Sequence, residues 1–187
     1  MKSENENQRF IYCLEGNWNK HPKSNQSVKP ILELLYTFSK VKYIYRKCAT
    51  KDEFIKGLLA FTQRRYSNYR ILYIAYHGRR NRIFFGNEYI TLKEISNVLE
   101  GKLEGKVVHF GSCSTLNTSE KNIRSFISRT GCHFISGYKK DVDYIVSTAF
   151  ELLYFELLQY TNSINSLTKN LNRKYQNLIN KLLFCIN

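Results

Sequence analysis

The chain is poor in proline and in acidic residues, and it has no long apolar run. Two prolines and nine glycines in 187 residues leave little room for a long flexible linker, which favours one compact domain. No run of about 18 apolar residues occurs, so a membrane-spanning helix is not expected. The N-terminal sequence MKSENENQRF is polar and has no apolar stretch typical of a signal peptide, so the expected compartment is the cytoplasm.

Paired cysteines and metal-ligand patterns are also missing. The five cysteines are widely scattered, without a CxxC pair, which argues against a disulfide framework and a structural zinc site. No His, Cys and Asp residues have metal-ligand spacing, and no glycine-rich phosphate loop occurs, so no cofactor is expected. Four cysteines lie in apolar surroundings typical of buried thiols, whereas Cys113 lies among small residues.

The charge of the chain is one-sided, with 29 basic and 15 acidic residues and a net charge of +14. Such a surface attracts nucleic acid, anionic lipid or an acidic partner protein. However, the basic residues are spread along the whole chain, and the densest group is Arg79, Arg80 and Arg82. Because a dispersed surplus is typical of a solvated surface, nucleic-acid binding is the less favoured alternative.

Short apolar runs alternate with helical patterns along the chain. Continuous apolar stretches such as ILYIAYHG at 71–78 are typical of central parallel strands, and IFFGNEYITL at 83–92 predicts a β-hairpin. Thr50 and Glu53 form a capping-box pattern at the start of one helix, and Gly131 closes another. The predicted strands are 10–18, 41–49, 71–78, 106–113 and 132–138, with helices between them.

This order predicts an α/β fold with a mostly parallel central sheet, helices on both faces and a small inserted β-hairpin. A single domain spans 1–187, with its core at about 10–160 and a helical C-terminal tail at about 161–187. The tail either packs on its own sheet or forms a docking surface for a partner or a second copy. Its leucines are Leu167, Leu171, Leu178, Leu182 and Leu183.

Two reactive side chains follow successive core strands, His77 after the third strand and Cys113 after the fourth. In open α/β sheets, functional residues gather beyond the carboxyl ends of the central strands. A thiol attacks a carbonyl as the thiolate, and an imidazole can take its proton. Gly78 allows a tight turn beside the histidine. The pattern therefore predicts His77 as base and Cys113 as nucleophile, with the Gly78 and Cys113 N–H groups as oxyanion hole.

The sequence YIAYHG followed by VVHFGSCST resembles the caspase-like (clan CD) cysteine peptidases, and within them the bacterial CHAT group. The resemblance covers roughly Phe10 to Tyr160, because strand order, hairpin position and closing helix also fit. It implies a three-layer caspase-like sandwich, with His77 as general base, Cys113 as nucleophile and the same oxyanion hole. It also implies an endopeptidase of bacterial defence or regulated cell death that cleaves a partner protein.

The sequence departs from the caspases at the nucleophile, because the Gln-Ala-Cys-x-Gly signature is absent. No long cleavable linker follows Cys113, so neither activation by cleavage there nor a preference for aspartate is assumed. Asp141 or Asp143 could pair with a basic residue of the substrate, with Glu15 as a further candidate. Asp143 could equally cap the following helix. The sequence leaves the oligomeric state and any activating partner protein open.

Two alternatives from other functional classes remain beside the protease hypothesis. The first is a catalytically inactive caspase-like module that binds a partner through its basic surface. The second is a basic nucleic-acid-associated α/β protein. Both His77 and Cys113 are present, which favours the enzyme over the inactive module.

Overall fold

A computed structural model describes residues 8–18, 26–161 and 163–187 of the chain. Six strands form the central sheet: β1 Phe10–Glu15, β2 Tyr43–Lys47, β3 Tyr69–Ala75, β7 Val107–Phe110, β8 Phe134–Tyr138 and β9 Phe184–Ile186. Their spatial order is β2-β1-β3-β7-β8-β9. The first five are parallel to one another, and only β9 runs antiparallel. The predicted mostly parallel central sheet is confirmed.

In the described part of the chain, three α-helices lie on each face of this sheet. The helices are α1 Lys29–Ser39, α2 Lys51–Phe61, α3 Leu92–Val98, α4 Glu120–Thr130, α5 Tyr144–Leu158 and α6 Ile164–Leu182. On one face α2, α3 and α4 contribute apolar side chains such as Phe54, Ile95 and Phe126 to the core. On the other face α1, α5 and α6 contribute a separate core that includes Phe150 and Leu171. Successive strand residues alternate between the two cores, so the sheet is the middle layer.

The helix boundaries follow the capping residues of the sequence. The Thr50 side chain accepts a hydrogen bond from the Glu53 N–H, and the Glu53 carboxylate accepts one from the Thr50 N–H. This capping box satisfies two N–H groups that otherwise have no partner at a helix start. Ser119 caps α4, which Gly131 ends in the left-handed conformation at φ 73°.

The predicted hairpin is part of a small three-stranded sheet. Its strands are β4 Gly78–Arg79, β5 Arg82–Phe85 and β6 Glu88–Thr91, in antiparallel order. The hairpin is β5 and β6, and the prediction missed β4. A strand of two residues is too short to show a periodic pattern in the sequence. Only its pairing with β5 identifies β4 as a strand.

The predicted helical tail is wrong at its end. Leu183 adopts a left-handed conformation that closes α6, and Phe184–Ile186 then pair with β8 at the edge of the central sheet. Leu167, Leu171 and Leu182 are buried against that sheet, which confirms the own-sheet alternative for these three leucines. The core therefore extends beyond residue 160.

Phe184 provides a direct measure of how much β9 contributes to stability. Its side chain is 8% exposed and packs edge-on against Phe150 and Tyr154. We expect Phe184→Ala to lower the free energy of unfolding by about 3 kcal/mol, because the cavity cannot fully collapse. Urea denaturation followed by circular dichroism measures this loss. The matched control is Phe38→Ala, since Phe38 is 79% exposed and its truncation should change stability by less than about 0.5 kcal/mol. Equal losses of unfolding free energy in the two variants would contradict a stabilising contribution of β9.

Among residues 8–18, 26–161 and 163–187, no helix is long and apolar enough to cross a membrane.

Candidate active site

The loops that carry His77 and Cys113 leave the same edge of the central sheet. Strand β3 ends at Ala75 and β7 ends at Phe110, and the two strands are neighbours in parallel register. The carboxyl ends of parallel strands lie at one edge, so the two loops emerge side by side. The sheet order also reverses direction between β1 and β3, which opens a crevice between the loops after these strands.

Gly78 joins the two loops by direct contact. A Cβ atom added at Gly78 would lie 2.2 Å from Thr115 Oγ1, 2.6 Å from the Cys113 carbonyl oxygen and 2.7 Å from Ser112 Cβ. Only a residue without a side chain fits there. The Asn81 N–H also donates to the Thr115 carbonyl at 3.1 Å. The segment after the histidine is therefore fastened to the segment around the cysteine.

The N–H of Gly78 points away from the small sheet. Gly78 lies opposite Ile83 in the antiparallel ladder, and the Phe84 N–H donates to the His77 carbonyl at 2.9 Å. That bond makes Gly78 and Ile83 a non-hydrogen-bonded pair, in which the N–H of each residue faces away from the partner strand. The Gly78 N–H is therefore outside the β4–β5 ladder, as an oxyanion-hole donor must be.

His77 and Cys113 line one pocket of about 170 Å³. Other lining residues are Trp18, Gly111, Val142 and Glu151. A larger and more open depression of about 320 Å³ lies at Glu100 and Arg129, away from both predicted catalytic residues. The smaller pocket is the candidate active site because it alone of the two is lined by the predicted base and the predicted nucleophile.

A backbone carbonyl orients the exposed imidazole of His77. The His77 Nε2 atom makes a short hydrogen bond to the Trp18 carbonyl oxygen, and the two rings meet edge to face at 5.4 Å. A carbonyl only accepts, so Nε2 is the donor in this bond, and Nδ1 is the nitrogen that can act as a base. An orienting group on one nitrogen and a basic second nitrogen is the arrangement that activates a nucleophile.

Glu15 holds this orienting segment in place. Its carboxylate is 1% exposed and accepts bonds from Trp18 Nε1 at 2.6 Å, the Val28 N–H at 2.7 Å, Ser27 Oγ at 2.6 Å and Tyr45 OH at 2.5 Å. These four donors use all the lone-pair sites of a carboxylate. Glu15, predicted as a substrate-binding residue, is therefore engaged within the protein, and its contacts position Trp18.

The Cys113 sulfur rests against the backbone of Val142. Sγ lies 3.5 Å from the Val142 N–H nitrogen and 3.8 Å from the Val142 carbonyl oxygen. Burial raises the pKa of this thiol, and the carboxylates of Asp141 and Glu151 raise it further, while the Val142 N–H acts in the opposite direction. The resting side chain is therefore a protonated thiol near neutral pH.

The turn after Cys113 has a left-handed residue that is not glycine. Ser114 has φ 51°, and its N–H donates to the Lys140 carbonyl at 2.9 Å. Such a conformation costs free energy and persists where surrounding contacts enforce it, often at active sites. The Ser114 N–H is already bonded, so the Cys113 N–H is the better candidate as the second oxyanion donor.

Neither predicted aspartate lines the pocket. Asp141 is exposed and accepts a hydrogen bond from Ser114 Oγ at 2.6 Å. Asp143 is the N-cap of α5 and accepts from the Val146 N–H at 2.9 Å, which confirms the capping alternative. The two carboxylates thus stabilise the loop and helix near Cys113, and neither lines the pocket.

A family model matches residues 8–187, which is almost the whole chain, and its description is "family of unknown function (DUF6642)". The chain belongs to the DUF6642 family. No curated protein matches this chain.

This DUF6642 domain has a further pocket residue that the sequence analysis missed. Glu151 on α5 is 3% exposed and accepts hydrogen bonds from Tyr73 OH, from Tyr138 OH at 3.1 Å and from His109 Nε2 at 3.1 Å. His109 itself is fully buried. The available signal was a glutamate inside the apolar helical stretch AFELLYFELL, on the face that also carries Tyr154 and Phe155.

The raised pKa of Cys113 predicts slow alkylation at neutral pH. Only the thiolate reacts with iodoacetamide, so the rate should rise as pH increases through the thiol pKa, with a midpoint above the value of about 8.5 for a free cysteine. Asp141→Asn removes a negative charge that raises the pKa, so its midpoint should move to lower pH. Mass spectrometry of the Cys113 peptide against pH measures both midpoints. A wild-type midpoint below that of free cysteine would instead indicate a resting thiolate–imidazolium pair.

Proposed function

We propose that this protein is a caspase-like cysteine endopeptidase that uses His77 and Cys113 to cleave a partner protein. The observation that carries the proposal is the contact of Gly78 with the Cys113 peptide, which brings a predicted base and nucleophile to one pocket. Both residues follow neighbouring parallel strands, so the same sheet edge carries them. If His77 and Cys113 were neighbours only by chance, we would not also expect an oriented imidazole and a backbone N–H outside the β4–β5 ladder at the same place.

The caspase-like architecture is part of this proposal. It is supported by a parallel sheet in which neighbouring strands are followed by His-Gly and by small residues with cysteine. The small sheet inserted directly after His77 and the helices on both faces agree with the resemblance. The family match neither adds to nor conflicts with this, since the DUF6642 family has no assigned function.

In the proposed mechanism, His77 Nδ1 takes the proton of the Cys113 thiol as a substrate carbonyl enters the pocket. The thiolate attacks the carbonyl carbon, and the resulting oxyanion binds the N–H groups of Gly78 and Cys113. His77 then returns the proton to the departing amine, which leaves an acyl-enzyme on Cys113. Water, deprotonated by His77, attacks the thioester and releases the second product with a free thiol.

The resting position of the Cys113 sulfur adds a conformational step before the chemical steps of this mechanism. Sγ is held at the Val142 backbone, and the thiol is protonated there because burial raises its pKa. Rotation of the Cys113 side chain toward His77 must therefore precede attack. A substrate or an activating partner that stabilises the rotated form increases the reactive fraction. Cleavage of one partner protein in bacterial defence or regulated cell death is the role that the resemblance supports.

The test is a cleavage screen with fluorogenic peptides that end in Arg, Lys, Asp or Leu, run with wild type and Cys113→Ala. The expected result is hydrolysis of at least one peptide by wild type and none by the variant. An electrophilic peptide probe provides a second measurement, since it should label Cys113 in wild type and not in His77→Ala. Hydrolysis that persists in Cys113→Ala would refute the mechanism. Absence of both hydrolysis and labelling would favour the inactive binding module.

A further inference from the structure

The pocket beside Cys113 has a buried carboxylate in its wall. Glu151 extends from the middle of α5 and is 3% exposed, yet it lines the same pocket as the nucleophile. A pocket of about 170 Å³ is smaller than the roughly 300–1,000 Å³ of sites that enclose a drug-sized ligand. It suits one amino-acid side chain, and Glu151 is the acidic group that such a side chain would meet.

A glycine keeps the space between the nucleophile and this carboxylate open. Gly111 precedes Cys113 by two positions and also lines the pocket. A Cβ atom added there would lie 2.8 Å from Glu151 Oε1 and 2.6 Å from Tyr73 Cε2. Any larger residue at position 111 would therefore push the carboxylate and the tyrosine ring away from the nucleophile loop.

Glu151 is held rigidly, but its charge has no permanent cationic side chain beside it. Oε1 accepts from Tyr138 OH and His109 Nε2, and Oε2 accepts from Tyr73 OH. A carboxylate has about four lone-pair sites, so one site on Oε2 remains beyond these three donors. Among the described residues, no Lys or Arg forms an ion pair with Glu151. A buried carboxylate without a cation is costly, which favours binding of a positive charge.

We propose that Glu151 is the specificity-determining residue of the pocket and selects a lysine or arginine side chain immediately before the cleaved bond. This inference rests on the proposed endopeptidase function and assigns its substrate class. The walls contributed by Trp18, Val142 and Tyr144 are suited to the aliphatic stem of such a side chain, while its cation reaches the carboxylate. Asp141 and Asp143 are engaged with the loop and with the helix start, so Glu151 replaces them as the acidic determinant.

The contact with His109 offers a competing source of positive charge. An imidazolium at His109 would neutralise Glu151 from inside the core, since its Nε2 lies 3.1 Å from Oε1. Its Nδ1 lies 2.9 Å from Ser136 Oγ, a hydroxyl that can donate to a neutral ring. With Nδ1 accepting from Ser136, the ring donates to Glu151 through Nε2 as an ordinary hydrogen-bond donor, in the same way as the two tyrosines.

The experiment compares peptide acyloxymethyl ketone probes that differ only in the residue next to the reactive group: Lys, Arg, norleucine, citrulline or Asp. Norleucine and citrulline match the shapes of lysine and arginine without their charge. For wild type we expect Cys113 to be labelled at least about 100-fold faster by the cationic probes than by their neutral counterparts. Glu151→Gln keeps the volume and the acceptor oxygen, and it should lose this preference, with neutral probes changed by less than about 3-fold.

A matched control is Glu156→Gln, which removes the same charge from the same helix at a residue that does not line the pocket and that contacts Tyr160. It should retain the wild-type preference. If Glu151→Gln fails to fold, as judged by circular dichroism, the wild-type comparison of lysine with norleucine still tests the preference for a cation, and Gly111→Ala, whose Cβ would displace the Glu151 carboxylate, tests its source. Equal or faster labelling by norleucine or Asp probes would overturn the assignment of Glu151 while leaving the protease intact. No labelling of Cys113 by any probe would contradict both the assignment of Glu151 and the proposed protease function.

Discussion

Replacement of Cys113 or His77 by alanine is expected to reduce kcat/KM for the best peptide at least about 1,000-fold. Cys113→Ala removes the atom that attacks the carbonyl, and no described neighbour supplies another thiol in the pocket. His77→Ala removes the group that takes the thiol proton, and the raised pKa of Cys113 makes that group indispensable near neutral pH. Because the two side chains act as one unit, the double variant should be no slower than the worse single variant.

Progress curves with the fluorogenic peptide measure all three variants. The matched control is Cys185→Ala, since Cys185 is another partly exposed free thiol whose Sγ contacts the Gly137 carbonyl and not the pocket. It should retain wild-type activity. Losses that multiply in the double variant would show that His77 and Cys113 act independently, which would contradict the dyad.

Gly78→Ala is expected to abolish activity and to destabilise the domain. The new methyl group would lie 2.2 Å from Thr115 Oγ1 and 2.6 Å from the Cys113 carbonyl oxygen, far inside any normal carbon contact. The segment after His77 must then separate from the nucleophile loop, which costs about 1–3 kcal/mol. Separation also displaces an oxyanion donor and the base, so kcat/KM should fall at least about 100-fold. Thermal unfolding and peptide hydrolysis measure the two effects.

Gly86 provides the control for this substitution, because a Cβ atom there meets nothing within 4 Å. Its φ of 64° lies in the left-handed region, where asparagine is tolerated, so the control is Gly86→Asn. Gly86→Asn should leave hydrolysis unchanged. A Gly78→Ala variant with wild-type activity would mean that the His77 and Cys113 segments need not touch, and the observation that carries the proposed function would be lost.

Local pattern was sufficient for most of the elements that position the site. The apolar runs at 71–78 and 106–113 predicted the two strands, and the cap at Thr50 and the glycine at Gly131 predicted helix boundaries. Alternation of strands and helices implied a parallel sheet, and parallel strands end at one edge. From this alone, His77 and Cys113 could be assigned to one site, since the prediction needed only that their strands be neighbours.

Local pattern failed where a residue's partners are distant in sequence. The run Phe184–Ile186 follows a helix, and three apolar residues do not distinguish a helix end from a strand. These residues form a strand because they pair with β8, which lies almost 50 positions earlier in the chain. Glu15 was assigned to the substrate because it is acidic and ends a strand. Three of its four donors lie between β1 and α1 and the fourth lies in β2, and none of these contacts has a local signature.

Periodicity and neighbouring residues were enough to predict the alternation of strands and helices and to place His77 and Cys113 at the ends of two core strands. The position of each carboxylate, by contrast, depends on the fold. The fold buried Glu15 behind Trp18, placed Asp143 on a helix N-terminus and brought Glu151 from α5 to the pocket wall. The physical reason is that the environment of a carboxylate is set by burial and by donors that the fold brings from elsewhere in the chain.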